Sequence, residues 1–493
     1  MTRKERLDLL NKVDFGDIDG YGDPNLDQYF LDNDYWNRVV DNKTYFVIGR
    51  KGTGKSSIYR MIKEQGLKKG IWIENKDFGD FPFEKLLQLD DQNFAKPNQY
   101  QSIWENLILN IFSKIIAENP ACEDTKNQHY LDIANYSKNC LGDVIEMHKE
   151  VVTRTTKTGG SLSFNFLSGN HEAERTLSIG LGQNNISMIN SSLEKLILDY
   201  FTTCTPQTKI IIQFDRLDDN YNQYQNVEQY YHAIISLFKV VYHLNQEFRA
   251  RKITNAKVVL YLRSDILKEL GKRDAESARW DDYCLTINWA IINKDEWNHS
   301  KLLQMIQKRI FASLHTTEIG FEEIFEKSDI NLRSKSGRTY DVFQYMVERT
   351  MHRPRDLIQF CKYVQKEASE SGDLYFRTIK NAEKSYGYWL INSELANEIN
   401  PILKDTEPVY ELLKLLGSRP FSLSDFNDRY RSVKGLNMPS EALAFYLYDV
   451  GILQNIDPSR KPAKFRSSYR NKGGLDRNMK IVVHSGVWVG INA

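Results

Sequence analysis

Several things this chain lacks narrow the reading before any motif is considered. Its five cysteines are Cys122, Cys140, Cys204, Cys284 and Cys361. They stand far apart and form no C-x-x-C pair, which argues against a cysteine zinc motif or a disulfide framework and points to a reducing cytosol. No run of about 18 apolar residues occurs, so no membrane span is expected. The first residues, Met1 to Arg6, are polar and lack the apolar stretch of a secretion signal. Lys and Arg (66) almost cancel Asp and Glu (65), leaving a net charge of +1. The molecule is no polycation, and any nucleic-acid affinity must come from a local patch. No nuclease, TIR or protease constellation stands out. His129, His148, His171 and His232 fall in unrelated contexts, so a destructive activity would belong to a separate effector protein.

What is present is ordinary soluble material, 41% hydrophobic and 27% charged over 493 residues, enough for about three domains. The informative stretch is Gly49-Arg-Lys-Gly52-Thr-Gly54-Lys55-Ser56, a complete G-x-x-x-x-G-K-[ST] loop. Tyr45 to Ile48 before it reads as a buried strand. Ser56 to Lys63 reads as a helix with Ile58, Met61 and Ile62 on one face. That strand–loop–helix setting is what lets the motif cradle phosphates on backbone N–H groups and a helix N-terminus. Gly49, Gly52, Gly54, Lys55, Ser56 and Ser57 are the expected nucleotide contacts. Lys55 reaches the β- and γ-phosphates, and Ser56 holds Mg²⁺.

Further strands are read at Ile71–Ile73, Lys209–Asp215, Val258–Leu262 and Leu285–Trp289, with helices over 101–117, 193–200 and 224–250. Strands alternating with helices predict a parallel sheet covered on both faces. Residues 1–44 form an aspartate-rich segment packing on this core, which spans 45–292. Residues 151–188 break the style. Leu162, Phe164 and Phe166, then Leu177, Ile179 and Leu181, alternate with small polar residues, which predicts an inserted β-hairpin. It could be a surface flap, an oligomer contact, a sensing element or a nucleic-acid contact.

Asp215 ends a strongly buried strand and suits a Mg²⁺ partner; Asp218 and Asp219 are candidates to polarise the attacking water. Arg263 ends the strand at 258–262, where it could sense a γ-phosphate through charge-assisted hydrogen bonds. From about 293 to 400 the chain reads as mostly helical, the stretch that the resemblance given below implies is a lid. Three helices and a two-stranded ribbon follow within 405–493. The ribbon carries Arg460, Lys461, Lys464, Arg466, Arg470 and Lys472, with Phe465 and Tyr469 among them. That patch is a candidate for phosphate contact, or a solvated face.

Together these boxes resemble AAA+-related phosphate-loop ATPases, most closely their signal-transduction (STAND) branch. Asp215-Arg-Leu-Asp-Asp219 is similar to that branch's acidic box, and Arg263 to its first sensor arginine. Ala278-Arg279-Trp280-Asp281 resembles the segment that carries an arginine finger, which implies Arg279 as a finger. Met351-His-Arg353-Pro-Arg355-Asp356-Leu resembles the start of a lid helix, which implies Arg353 or Arg355 as a second sensor. The order of helices and ribbon at the end resembles a winged helix. The whole order also resembles an uncharacterised bacterial ATPase family. The resemblance implies ATP rather than GTP, homo-oligomers, a cytoplasmic setting, and a role in genome defence with a separate effector; the alternative is a DNA-binding ATPase that loads or remodels partners. Where motors of this class carry a catalytic glutamate, this chain has Arg216, which implies a slow switch.

Overall fold

A computed structural model describes residues 1–41, 43–79, 86–87, 95–139, 162–166, 175–179, 184–204, 208–217, 227–292, 294–325, 341–457, 459, 464–471 and 473–493. In chain order its strands are β1 (Phe46–Gly49), β2 (Trp72–Asp77), β3 (Leu162–Phe166), β4 (Arg175–Ile179), β5 (Ile210–Asp215), β6 (Ala256–Arg263), β7 (Cys284–Thr286), β8 (Leu453–Asp457), β9 (Lys464–Arg466) and β10 (Lys480–Val483). The chain divides into two compact units, one of residues 1–31, 52–57 and 288–493, the other of residues 32–51 and 58–287.

The second of these is built on a five-stranded sheet of order β2-β5-β6-β1-β7. Every pairing in it is parallel. The three central strands, β5, β6 and β1, are buried along their whole length because both faces are covered, as a parallel sheet requires. Ile210, Ile212 and Phe214 of β5, Val258, Leu260 and Leu262 of β6, and Phe46 and Ile48 of β1 share one core with helices Gln101–Glu118, Gln128–Asn139, Asn184–Thr203 and Val227–Ala250. Burying that many branched and aromatic side chains, at about 1.5–3 kcal/mol each, is what holds the layer to the sheet. The alternate residues face the other way. There Tyr59, on the helix Lys55–Lys68, meets Tyr261 edge-on at 5.5 Å.

The expected hairpin is present: β3 pairs antiparallel with β4, Leu162 opposite Ile179 and Phe164 opposite Leu177. Its turn lies outside the described residues. One helical turn, Asn37–Asp41, is fixed by two lysines. Lys257 Nζ donates to Val39 O at 2.6 Å and Lys209 Nζ to Val40 O at 2.5 Å. Burial pushes the Lys257 ammonium down to about 7.

In the other unit, helix Arg3–Lys12 is tied to helix Pro354–Ser371 by Gln365 Nε2, which donates to Leu10 O and Val13 O, each at 2.7 Å. Residues 1–31 of the aspartate-rich segment thus group with residues 52–57 and 288–493. Helices Glu407–Leu416, Leu423–Tyr430 and Ser440–Asp449 precede an antiparallel sheet of order β10-β8-β9. The expected ribbon therefore has a third strand, Lys464–Arg466, which is too short and too charged to show an apolar alternation. No helix among the described residues is long and apolar enough to cross a membrane.

Candidate nucleotide site

The phosphate loop runs from the end of β1 into helix Lys55–Lys68. Gly52 and Gly54 hold φ of +76° and +89°. Side chains are strained there, which explains the glycines independently of any ligand. At residue 52 a Cβ would also stand 3.2 Å from the Cβ of Arg355. Lys55 is buried at the start of the helix, whose N-terminal N–H groups carry partial positive charge.

The residues of this loop from Gly52 to Ser57 are held by others of their own unit. Trp289 Nε1 donates to Thr53 O at 2.9 Å, and the Arg355 N–H to Gly52 O at 3.4 Å. Arg355 Nε donates to Ile18 O at 3.2 Å, and Gly20 lies directly against Ser57 Oγ. Trp289 and the carbonyl of Ile18 escaped sequence reading, since neither belongs to a motif.

Arg353 and Arg355 part company. Arg353 is 1% exposed and enclosed by acids. Its Nε donates to Asp356 Oδ2 at 2.9 Å and its Nη1 to Glu398 Oε1 at 2.6 Å, with Glu394 at 3.6 Å. Burial opposes its charge, but Asp356, Glu398 and Glu394 outweigh it and hold the guanidinium charged far beyond any working pH. Arg355 is the one whose backbone bonds Gly52; its Nη1 reaches Glu394 only at 3.4 Å.

Residue 352 extends the chain of contacts. His352 Nδ1 accepts from the Ile291 N–H at 3.1 Å, and Arg470 Nη2 lies 2.6 Å from His352 Nε2. Next to it, His484 Nε2 donates to Thr350 O at 3.2 Å, and its Nδ1 accepts from the Gly486 N–H. That pattern fits a neutral ring. Burial, aided by Arg470, pushes the His484 imidazolium down to about 3.

In the unit carrying the parallel sheet, Asp215 is buried at the end of β5. Behind it runs a polar ladder. Tyr261 OH donates to Gln213 Oε1 at 2.6 Å, and Gln213 Nε2 to Asn75 Oδ1 at 3.0 Å and Tyr59 O at 3.3 Å. Burial and the nearby Asp215 raise the Tyr261 hydroxyl well above its ordinary value. Arg216 adopts φ of +61°, and its Nη1 meets Asp77 Oδ2 at 3.0 Å. Asp77 was not legible because β2 continues past its apolar start into a polar end. Arg263 makes a bidentate pair with Asp265, Nε to Oδ1 at 3.0 Å and Nη2 to Oδ2 at 2.5 Å. Arg279 is exposed on the turn Ala275–Tyr283, with Glu276 at 3.6 Å, while the adjacent Trp280 is buried between Phe46 and Phe238.

The donors read for Mg²⁺, the Ser56 hydroxyl and the Asp215 carboxylate, are all oxygen, the type that ion takes. Asp218, Asp219, Arg460, Lys461 and Lys472 lie outside the described residues, and of Lys464 only the backbone is described. In the C-terminal sheet region Arg466 faces Asp476 at 3.7 Å, and Arg477 pairs with Glu441 at 2.7 Å. With Arg470 at His352, three of the arginines there are engaged within the protein.

These features define an α/β protein with a phosphate loop after β1 of a parallel sheet. Residues 300–394 match the family described as the FunZ-associated C-terminal helical domain, which takes in Arg353 and Arg355. The whole chain is similar to a protein of Escherichia coli (strain K12) described as a transposon gamma-delta protein of 80.3 kDa; the two are 22% identical over 99% of this chain and 68% of that protein. The structure aligns with the Aeropyrum pernix ORC2 protein in its ADP form at 12% identity over 90% of this chain and 89% of that one, with a TM-score of 0.29, too low for any inference.

Proposed function

We propose that the chain is an ATP-binding and slowly hydrolysing regulatory switch. The observation that carries this is the segment Thr350–Asp356. On one side Arg355 bonds the phosphate loop at Gly52; on the other, Thr350 and His352 meet His484 and Arg470 of the C-terminal module. A change at the loop has a short path of hydrogen bonds to that module, which is the physical content of a coupling claim. Phosphates are held by Gly49 to Ser56, Mg²⁺ by Ser56 and Asp215, and the γ-phosphate is sensed by Arg263 and Arg355. Water activation falls to Asp218 or Asp219. Arg216 cannot act as a base, since a guanidinium stays protonated, so turnover is slow.

The exposed Arg279 suits a homo-oligomer in which it reaches a neighbouring copy's nucleotide. In this reading the C-terminal module is a winged helix, the protein belongs to a prokaryotic anti-phage system, and it acts on a separate effector. A second reading is favoured by the relative described as a transposon protein: an ATPase that loads or remodels partners on DNA. Its electrostatic anchor would be the basic stretch 460–472, of which Arg466 and Arg470 already have internal partners.

The test is hydrogen exchange of residues 466–493 with and without ATP and Mg²⁺, together with duplex DNA binding at two salt concentrations. Exchange that changes with ATP in the wild type, and not in Lys55→Ala, is the expected result. Exchange indifferent to ATP overturns the switch. Steeply salt-dependent DNA binding lost on neutralising Lys461, Lys464 and Arg466 favours the second reading.

A further inference from the structure

Away from the phosphate loop, three helices bring together a donor set with no role in nucleotide chemistry. Glu105 lies on helix Gln101–Glu118, Glu194 on Asn184–Thr203 and His243 on Val227–Ala250. One ligand atom from each lies within 4.8 Å of the other two. His243 Nε2 stands 3.0 Å from Glu194 Oε1. Two ligands on a tetrahedral ion with bonds of about 2.0–2.1 Å are themselves roughly 3.3 Å apart, so this spacing needs little adjustment.

The cluster is also supported from behind. Asn190, buried one helical turn before Glu194, donates through Nδ2 to Glu105 Oε2 at 3.2 Å and to Ser102 O at 2.7 Å. Its own Oδ1 accepts from Asn106 Nδ2 at 2.8 Å. An oriented carboxylate held by a fixed amide is the usual support for a metal ligand. Burial, with Glu194 adding, raises the Glu105 carboxyl to about 7, and the bond to Glu194 raises His243.

We propose that Glu105, Glu194 and His243 form a divalent transition-metal site, best suited to zinc, that clamps three helices over one face of the sheet. Two carboxylates and an imidazole suit zinc, whereas magnesium takes oxygen alone and keeps its waters. His243 is exposed, which leaves the fourth position to water. The clamp pins the helix Asn184–Thr203, the element that follows β4 of the inserted hairpin.

The test uses the full chain, stripped with chelator and titrated with zinc chloride by calorimetry and thermal melting. One zinc per chain, a Tm rise of about 3–8 °C and no comparable effect of magnesium are expected. His243→Gln, a surface change, should weaken binding at least tenfold, as should Glu194→Gln. No zinc binding, or binding undiminished in His243→Gln, overturns the proposal. X-ray absorption of the zinc-loaded wild type decides without any variant: a shell of nitrogen and oxygen supports the site, and a sulfur shell overturns it.

Discussion

Arg353 and Arg263 are both candidates to sense a nucleotide, and the structure gives them acidic partners of different number and exposure. Arg353 is enclosed, with Asp356, Glu394 and Glu398 around it and almost no surface. Arg263 is also mostly covered, but its partner Asp265 is 56% exposed. An arginine shut in with several buried acids holds a fold together, because removing it strands their charge. An arginine paired to a half-solvated acid can exchange that acid for a phosphate at small cost, since such pairs are worth little in themselves. By this contrast Arg353 is expected to hold its helices together, and Arg355 and Arg263 are, in the proposed reading, the contacts that respond to nucleotide.

The most severe way to break the contrast is Arg353→Met. It should lower stability by about 3–5 kcal/mol, the range for uncovering a buried ion pair. Arg355→Ala should cost less than about 1 kcal/mol. Urea melts of the two variants without nucleotide measure this directly. Equal losses would erase the distinction between the two roles.

Next in size is the loss of nucleotide. Lys55→Ala should weaken ATP binding at least ~100-fold, about 2.7 kcal/mol, with an unchanged melt in the absence of ligand. Arg263→Ala should leave ATP binding within a few-fold and slow single-turnover hydrolysis by about 10–100-fold. Titration with a fluorescent ATP analogue and rapid-quench assays separate the two. If Arg263→Ala melts as poorly as Arg353→Met, Arg263 too holds the fold together.

A third effect is set by pH. His484 is neutral in the fold, its value pushed down to about 3 from an ordinary 6.5. The unfolded chain therefore binds the extra proton between those values. The associated stability is fully present above pH 6.5 and is lost as pH falls through 6.5 toward 3. By pH 5 the loss should reach about 2 kcal/mol. Thr350 O favours the proton, while Arg470, Arg349 and Arg353 oppose it. Proteolysis between residues 484 and 493 should rise at pH 5 in the wild type. His484→Gln should flatten the dependence.

How much of this was legible follows the range of each signal. The phosphate loop, the apolar runs of β1, β5 and β6, and the hairpin alternation are local patterns, and each is found within a residue or two of its reading. Helix Lys55–Lys68 runs five residues past its expected end, because Gly66 does not take the left-handed conformation that ends a helix and Gly70 does. The choice between Arg353 and Arg355 could not be read, since two residues apart on a helix start they differ only in what surrounds them. Asp77, Trp289 and His352 were invisible for the same reason. Each matters through a partner 60 to 240 positions away, as Trp289 does through Thr53 and His352 through Ile291. Asp77 matters through Arg216 in the same way.

The smallest expected effect tests Arg216, which is intermediate between the two kinds. Its side chain is 40% exposed and pairs with Asp77, so that contact is worth ~0–1 kcal/mol. Its φ of +61° costs a residue with a Cβ about 1–2 kcal/mol. Arg216→Gly relieves that strain, loses the pair and adds about 0.5–1 kcal/mol of unfolded-chain freedom. The three contributions nearly cancel, and stability should stay within about 1 kcal/mol of wild type. Turnover should stay within about threefold, because a protonated guanidinium accepts no proton from water. A loss beyond ~2 kcal/mol would mean that Arg216 is enclosed by more than Asp77, and would move it to the side of Arg353.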